Sequence, residues 1–134
     1  MKGRVFVDSN VLVYAFTEDD RSARARGLLK AEAVVWSVHV LNEFVHVARR
    51  KLSREWKEIL VTLALLESVY ATPAPVTAVT QRMALGIAQR YGYHIFDSLV
   101  IAAALEAECD TLYSEDMQHG QRIDGLVIRN PFRK

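Results

Sequence analysis

Short apolar runs alternate along this chain with longer stretches whose apolar side chains recur every three or four positions. Arg4–Val7 is a β-branched and aromatic run that reads as a buried strand. Asp8 closes it. The apolar-rich Asn10–Phe16 then predicts a helix capped by Asp8 or Ser9. Asp19–Ala31 predicts another, with Ala23, Leu28 and Leu29 inward and Arg21, Arg24, Arg26 and Lys30 in water. Ala33–Trp36 reads as a second strand. Val38–Lys51 carries a helical stripe of Val40, Leu41, Phe44, Val47 and Ala48. Ser53 is expected to cap a helix reaching Val69, with Glu55 or Trp56 in its first turn and Ile59, Leu60, Leu63 and Leu66 inside. Tyr70–Thr72 is a weak strand, stopped by Pro73 and Pro75. Helices over Thr77–Arg90, ended by Gly92, and over Phe96–Glu108 precede strands at Thr111–Ser114 and Leu126–Arg129.

Strands alternating with helices imply βα units and a parallel sheet covered on both faces. In such sheets, sites form beyond the carboxyl ends of the strands. Asp8 lies just past the end of the first strand and Asp116 just past that of the TLYS strand. The 134 residues are one domain's worth, and no repeat or Gly/Ser linker divides them, so a single domain over 1–134 is expected. No segment has the ~18 apolar residues of a membrane span. The opening MKGRVFV enters a strand at once, without the apolar core of a signal peptide. A lone cysteine, Cys109, allows no internal disulfide. These features point to a cytoplasmic protein. A net charge of +1 leaves nucleic-acid binding to a local basic face.

Four acids change the picture, because each sits against an apolar segment, where a carboxylate is costly unless its charge is compensated. Asp8, in RVFVDSNV, reads equally well as a helix cap. Asp97, in HIFDSLVIAAALE, suits a first helical turn, yet it is in register with apolar Val100, Ile101 and Ala104. Glu43, in VHVLNEFVHVA, lies mid-helix between Val40 and Val47, where a solvated glutamate does not belong. Asp116, in TLYSEDMQ, also fits a polar turn beside Glu115. Taken together they suggest converging carboxylates that repel one another until a divalent cation relieves them. Mg²⁺ or Mn²⁺ held by a few carboxylates suits hydrolysis of a phosphodiester.

The segments VDSNVLVYAF, LNEF, FDSLVIAAA and LYSEDMQHG, in this order, resemble the PIN domain and, within it, the VapC-type toxins of toxin–antitoxin pairs. The resemblance spans nearly the whole chain. It implies a three-layer α/β/α sandwich around a central, mostly parallel sheet, and a metal-dependent ribonuclease. Carried over, Asp8, Glu43, Asp97 and Asp116 are the catalytic and metal-binding set, with Asn10 and Ser114 as supporting polar residues. Either Glu115 or Asp116 could be the fourth acid. An RNA substrate, a homodimer and a cognate antitoxin are also implied.

Arg49, Arg50, Lys51, Arg54 and Lys57 follow the Glu43 helix. They read equally as a solvated helix end or as a track for an RNA backbone, with Arg49, Arg50 and Lys51 as the candidate contacts. Glu43-x-x-His46 matches a di-iron carboxylate motif, but no second copy exists for the bundle such a site needs. Trp36 and Trp56 are expected in the core or at a dimer contact. The reading is a Mg²⁺/Mn²⁺-dependent endoribonuclease, the toxin of a toxin–antitoxin pair. The alternatives are an RNA-processing PIN nuclease without an antitoxin and a catalytically idle binding module.

Overall fold

Phe6, Val7, Leu112 and Ile128 are fully buried because their strands lie at the centre of a covered sheet. The computed structural model describes residues 3–70 and 72–133. The elements are β1 (Arg4–Val7), α1 (Ser9–Ala15), α2 (Ser22–Ala31), β2 (Ala33–Val35), α3 (Val38–Arg50) and α4 (Trp56–Val69). There follow α5 (Ala78–Tyr91), α6 (Ile95–Glu106), β3 (Thr111–Tyr113), β4 (Arg122–Ile123) and β5 (Leu126–Arg129). The sheet order is β2-β1-β3-β5-β4, with β4 alone antiparallel. The expected α/β architecture with a mostly parallel sheet is therefore present.

From β1 the chain crosses to β2 on one side, then returns past β1 to β3 on the other. Right-handed crossovers running in opposite directions place their helices on opposite faces. The connection leaving β1 turns toward β2, and that leaving β3 turns toward β5. Such divergence opens a crevice at the carboxyl ends of the two strands. Helix α3 touches both α1 and α6, so Glu43 and Asp97 ride on neighbouring elements. A stripe of Val40, Phe44 and Ala48 seats α3 on the core, and burial of side chains this size contributes roughly 1.5–3 kcal/mol each for the larger ones.

Several expectations need correction. Ser53 does not cap α4. It adopts a left-handed conformation (φ 52°), and Glu55 takes the cap in a reciprocal box with Glu58. Leu60 is exposed and Leu63 only half-buried, because α4 is apolar nearly all round while only Ile59 and Leu66 face the core. In α2, Ala25 rather than Ala23 is inward. Residue 71 of the expected Tyr70–Thr72 strand lies outside the described residues. Its described neighbours form none: Tyr70 caps the end of α4, and an isolated bridge follows at Ala74, with Ser37. Trp36 is in the core, but Trp56 is exposed beneath the Arg49 guanidinium, 4.9 Å from its ring centroid. Cys109 is buried, which pushes its thiol up to about 11. The di-iron reading fails because the fold is built on a sheet.

Candidate active site

Asp8 is delivered by the end of β1 and is 3% exposed. Its main-chain N–H donates to the Tyr113 carbonyl at 3.0 Å, tying the ends of β1 and β3 together. Its Oδ1 accepts the Ser9 N–H at 2.7 Å and caps α1. Its Oδ2 accepts the Ser114 hydroxyl at 2.7 Å. Asp8 is thus a helix cap and a member of the acidic group at once, and the two readings of the sequence do not compete.

Ser114 and Asn10 link Asp8 to Asp116. Ser114 is buried, and its Oγ accepts the Asp116 N–H at 3.2 Å. The Asn10 Nδ2 donates to Asp116 Oδ2 at 3.2 Å, while its Oδ1 accepts the Glu115 N–H at 3.3 Å. The neighbouring acids part company here. Glu115 turns to the Tyr14 hydroxyl at 2.9 Å and to Arg21 Nε at 3.5 Å. Partial burial and that bond push the Tyr14 phenol up to about 12. Asp116 stays exposed beside Asn10.

Glu43 comes from the middle of α3 and Asp97 from the first turn of α6. The His39 Nε2 is 3.6 Å from Glu43 Oε1, too long for a hydrogen bond, and it has no hydrogen-bond partner. Burial lowers the pKa of His39, against a main-chain hydrogen bond at Phe96 and the Asp97 charge. His94 caps α6 through Nδ1, which accepts the Asp97 N–H at 3.4 Å, and its Nε2 stands 3.0 Å from Asp97 Oδ2. The role of His94 was missed. Its signal was a polar residue three positions before an acid at a helix start.

The electrostatics join the four acids. Burial pushes the Asp8 carboxyl up to about 6, with Asp97 and Asp116 adding to the rise and the Ser114 and Ser9 bonds opposing it. Burial pushes Glu43 up to about 7, helped by the charges of Asp8, Asp97 and Asp116. Asp97 is raised by burial and by Asp116, against the pull of His94 and His39. Among the described residues, no lysine or arginine figures among the groups that shift these three acids. A site with this surplus of negative charge fits a divalent cation.

Among the described residues, no three His, Cys, Asp or Glu side chains are gathered tightly enough to enclose a metal by themselves. Mg²⁺ does not require that, because it keeps several waters and takes one or two carboxylates directly. The basic residues lie farther along α3. Arg50 is seven positions after Glu43, on the same helical face and about 10 Å along the axis. Arg49 donates to the Arg54 carbonyl at 3.0 Å and packs over Trp56, whereas Arg50 and Lys51 are exposed.

Several solved structures share this fold. VapC20 of Mycobacterium tuberculosis, described as a sarcin–ricin-loop-cleaving toxin, superposes with a TM-score of 0.70 at 21% identity, over 84% of this chain and 91% of that one. A toxin–antitoxin complex from Klebsiella pneumoniae gives 0.73 at 17% identity, over 97% and 99%. VapBC2 of Rickettsia felis, bound to a DNA fragment from its promoter, gives 0.67 at 20% identity, over 95% and 98%. No curated protein sequence matches. At these identities the likeness is one of fold. The sequence itself carries the assignment: the PIN domain family model matches residues 5–124, and the chain belongs to the PIN domain family.

Proposed function

We propose that this single-domain chain is a divalent-metal-dependent endoribonuclease and the toxin of a toxin–antitoxin pair. The observation that carries the reading is that burial raises Asp8, Glu43 and Asp97 together, with the charge of Asp116 adding to each and, among charges, only His94 and His39 opposing the rise, at Asp97. Asp8, Glu43, Asp97 and Asp116 hold Mg²⁺ or Mn²⁺. When bound, the cation polarises the scissile phosphate and activates water. The protein's part is positioning. Ser9 and Ser114 fix both oxygens of Asp8, and Asn10 orients Asp116. The bonds of Glu115 to Tyr14 and Arg21 favour Asp116 as the fourth acid. The likeness to toxin–antitoxin complexes supports a cognate antitoxin as partner, and a homodimer belongs to the same proposal. Among the described residues no helix is long and apolar enough to cross a membrane, and we place the protein in the cytoplasm.

The test is cleavage of RNA by the purified protein, with and without Mn²⁺ and with excess chelator, followed by sequencing of the new RNA ends. Cleavage that needs the metal is expected. Activity that ignores the chelator contradicts the metal site, and binding without cleavage favours the idle module. Ser114→Ala should lower activity or metal affinity by about 10- to 100-fold, as is usual for a group that orients a metal ligand. Full activity in that variant, measured across a Mn²⁺ titration, means that Asp8 is held well enough by Ser9.

Arg50 and Lys51 supply the phosphate-facing charge. Changing both to glutamine should weaken binding of single-stranded RNA and reduce the slope of log K against log salt by roughly 1.4, at ~0.7 per phosphate neutralised. An unchanged slope assigns these residues to a solvated helix end.

A further inference from the structure

Phe96 is 57% exposed, although it stands in the first turn of an apolar helix and directly precedes Asp97. Its ring is nevertheless held in place. It stacks on the His39 imidazole, with centroids 5.8 Å apart and planes 15° from parallel. The His94 ring meets it edge-on, at 6.3 Å and 63°. Both imidazoles lead straight to the acids: His39 faces Glu43 at 3.6 Å, and His94 faces Asp97 at 3.0 Å. One face of the phenyl ring is therefore backed by a mostly covered histidine, and more than half of the residue's surface is open to solvent. The two imidazole contacts fix the ring relative to Glu43 and Asp97.

We propose that Phe96, stacked on His39, is a base-stacking ledge that seats a nucleobase beside the scissile phosphate of single-stranded RNA. The inference rests on the nuclease reading above and adds a specificity-determining residue to it. An unstacked RNA base offers a flat apolar face, and proteins that read single strands meet it with an aromatic ring. A phosphate held at the acids carries its adjoining bases within one nucleotide of that point. Here Asp97 and Phe96 are consecutive residues, so a carboxylate that would reach the phosphate through its cation and the ring that would anchor a base share one helical turn. A platform of this kind favours unpaired RNA, because a base inside a duplex has both faces occupied. Stacking is tolerant of base identity, so Phe96 sets strandedness and register more than sequence.

The experiment measures KM and kcat with Mn²⁺ on a single-stranded, mixed-sequence RNA oligonucleotide carrying a fluorophore and quencher. Wild type is compared with Phe96→Ala, Phe96→Leu and Phe96→Trp. Loss of one stacked base should raise KM about 10-fold in the alanine and leucine variants and leave kcat within about twofold. The tryptophan variant should match or better the wild-type KM. An abasic site walked along the oligonucleotide should raise KM at one position in wild type and add nothing there in Phe96→Ala. The Mn²⁺-induced rise in melting temperature should be equal in all four proteins, which separates a stacking defect from a damaged metal site. Unchanged KM in Phe96→Ala overturns the ledge and leaves the nuclease intact. Wild-type KM in Phe96→Leu also overturns it, since a leucine preserves only the apolar contact that a protein partner would use. A wild-type protein that neither cleaves nor binds RNA overturns both readings.

Discussion

Asp8→Asn should abolish RNA cleavage while leaving the metal-free protein at least as stable as wild type at pH 8. The two halves have one cause. Asp8 is almost wholly buried, and its carboxyl is pushed up to about 6, so at pH 8 the fold carries a desolvated negative charge. An asparagine removes that charge and keeps the frame. Its amide oxygen still accepts the Ser9 N–H, and its NH₂ group donates to the Ser114 hydroxyl oxygen where the carboxylate accepted from it. The helix cap survives, because asparagine caps as well as aspartate. What is lost is a charged ligand. If misorienting such a ligand costs 10- to 100-fold, losing it should cost more than ~100-fold. Cleavage and metal-free thermal unfolding of both proteins provide the comparison. An Asp8→Asn protein that cleaves RNA at the wild-type rate removes Asp8 from the site. One that melts well below wild type shows that the carboxylate is needed as a structural cap.

That overlap of roles explains what was legible in the chain. Asp8 showed itself because it closes a continuous apolar run, and Arg4–Val7 and Leu126–Arg129 were readable to the residue for the same reason. Gly92 marked the end of α5 because only a left-handed residue (φ 81°) completes that cap. The charges of Glu43 and Asp97 stood out against apolar helical faces. The fourth acid could not be chosen, since Glu115 and Asp116 are adjacent, and Tyr14, a hundred residues away, is what draws Glu115 aside. Strand β4 was missed, although the Asp124-Gly125 turn between Ile123 and Leu126 is a hairpin signal. Its two residues are too short to show a period. Leu60 failed differently. An apolar residue on an apolar helix is expected inside, and nothing local says which side the rest of the fold leaves uncovered.

Without metal, wild-type stability should fall as pH rises from about 4 to about 7, through the contribution of this site, and Mn²⁺ should restore it at the upper end. Asp8 titrates near 6 in the folded chain against 3.8 ordinarily, Glu43 near 7 against 4.5, and Asp97 is raised as well. Between each pair of values the folded protein holds a proton that the unfolded chain has released. Stability therefore decreases with pH across that window and levels off above it. The contribution is fully present below about 4, where both states are protonated. The acids titrate as a coupled group, so the window belongs to the cluster. A cation that binds only the folded state acts in the opposite sense and competes with protons for the same oxygens. At a free Mn²⁺ concentration of 100 Kd, mass action contributes about 2.7 kcal/mol. For a domain of this size that is a rise of the order of 8 °C in melting temperature at pH 8. At pH 5 the rise should be much smaller. Glu43→Gln tests the cause, because it removes one charge from the cluster without placing another nearby. Its metal-free melting temperature should vary less between pH 5 and 8 than that of wild type, and its gain from Mn²⁺ at pH 8 should shrink. Parallel pH profiles for the two proteins, with equal gains from Mn²⁺, would mean that Glu43 stands outside the cluster and that α3 contributes no ligand.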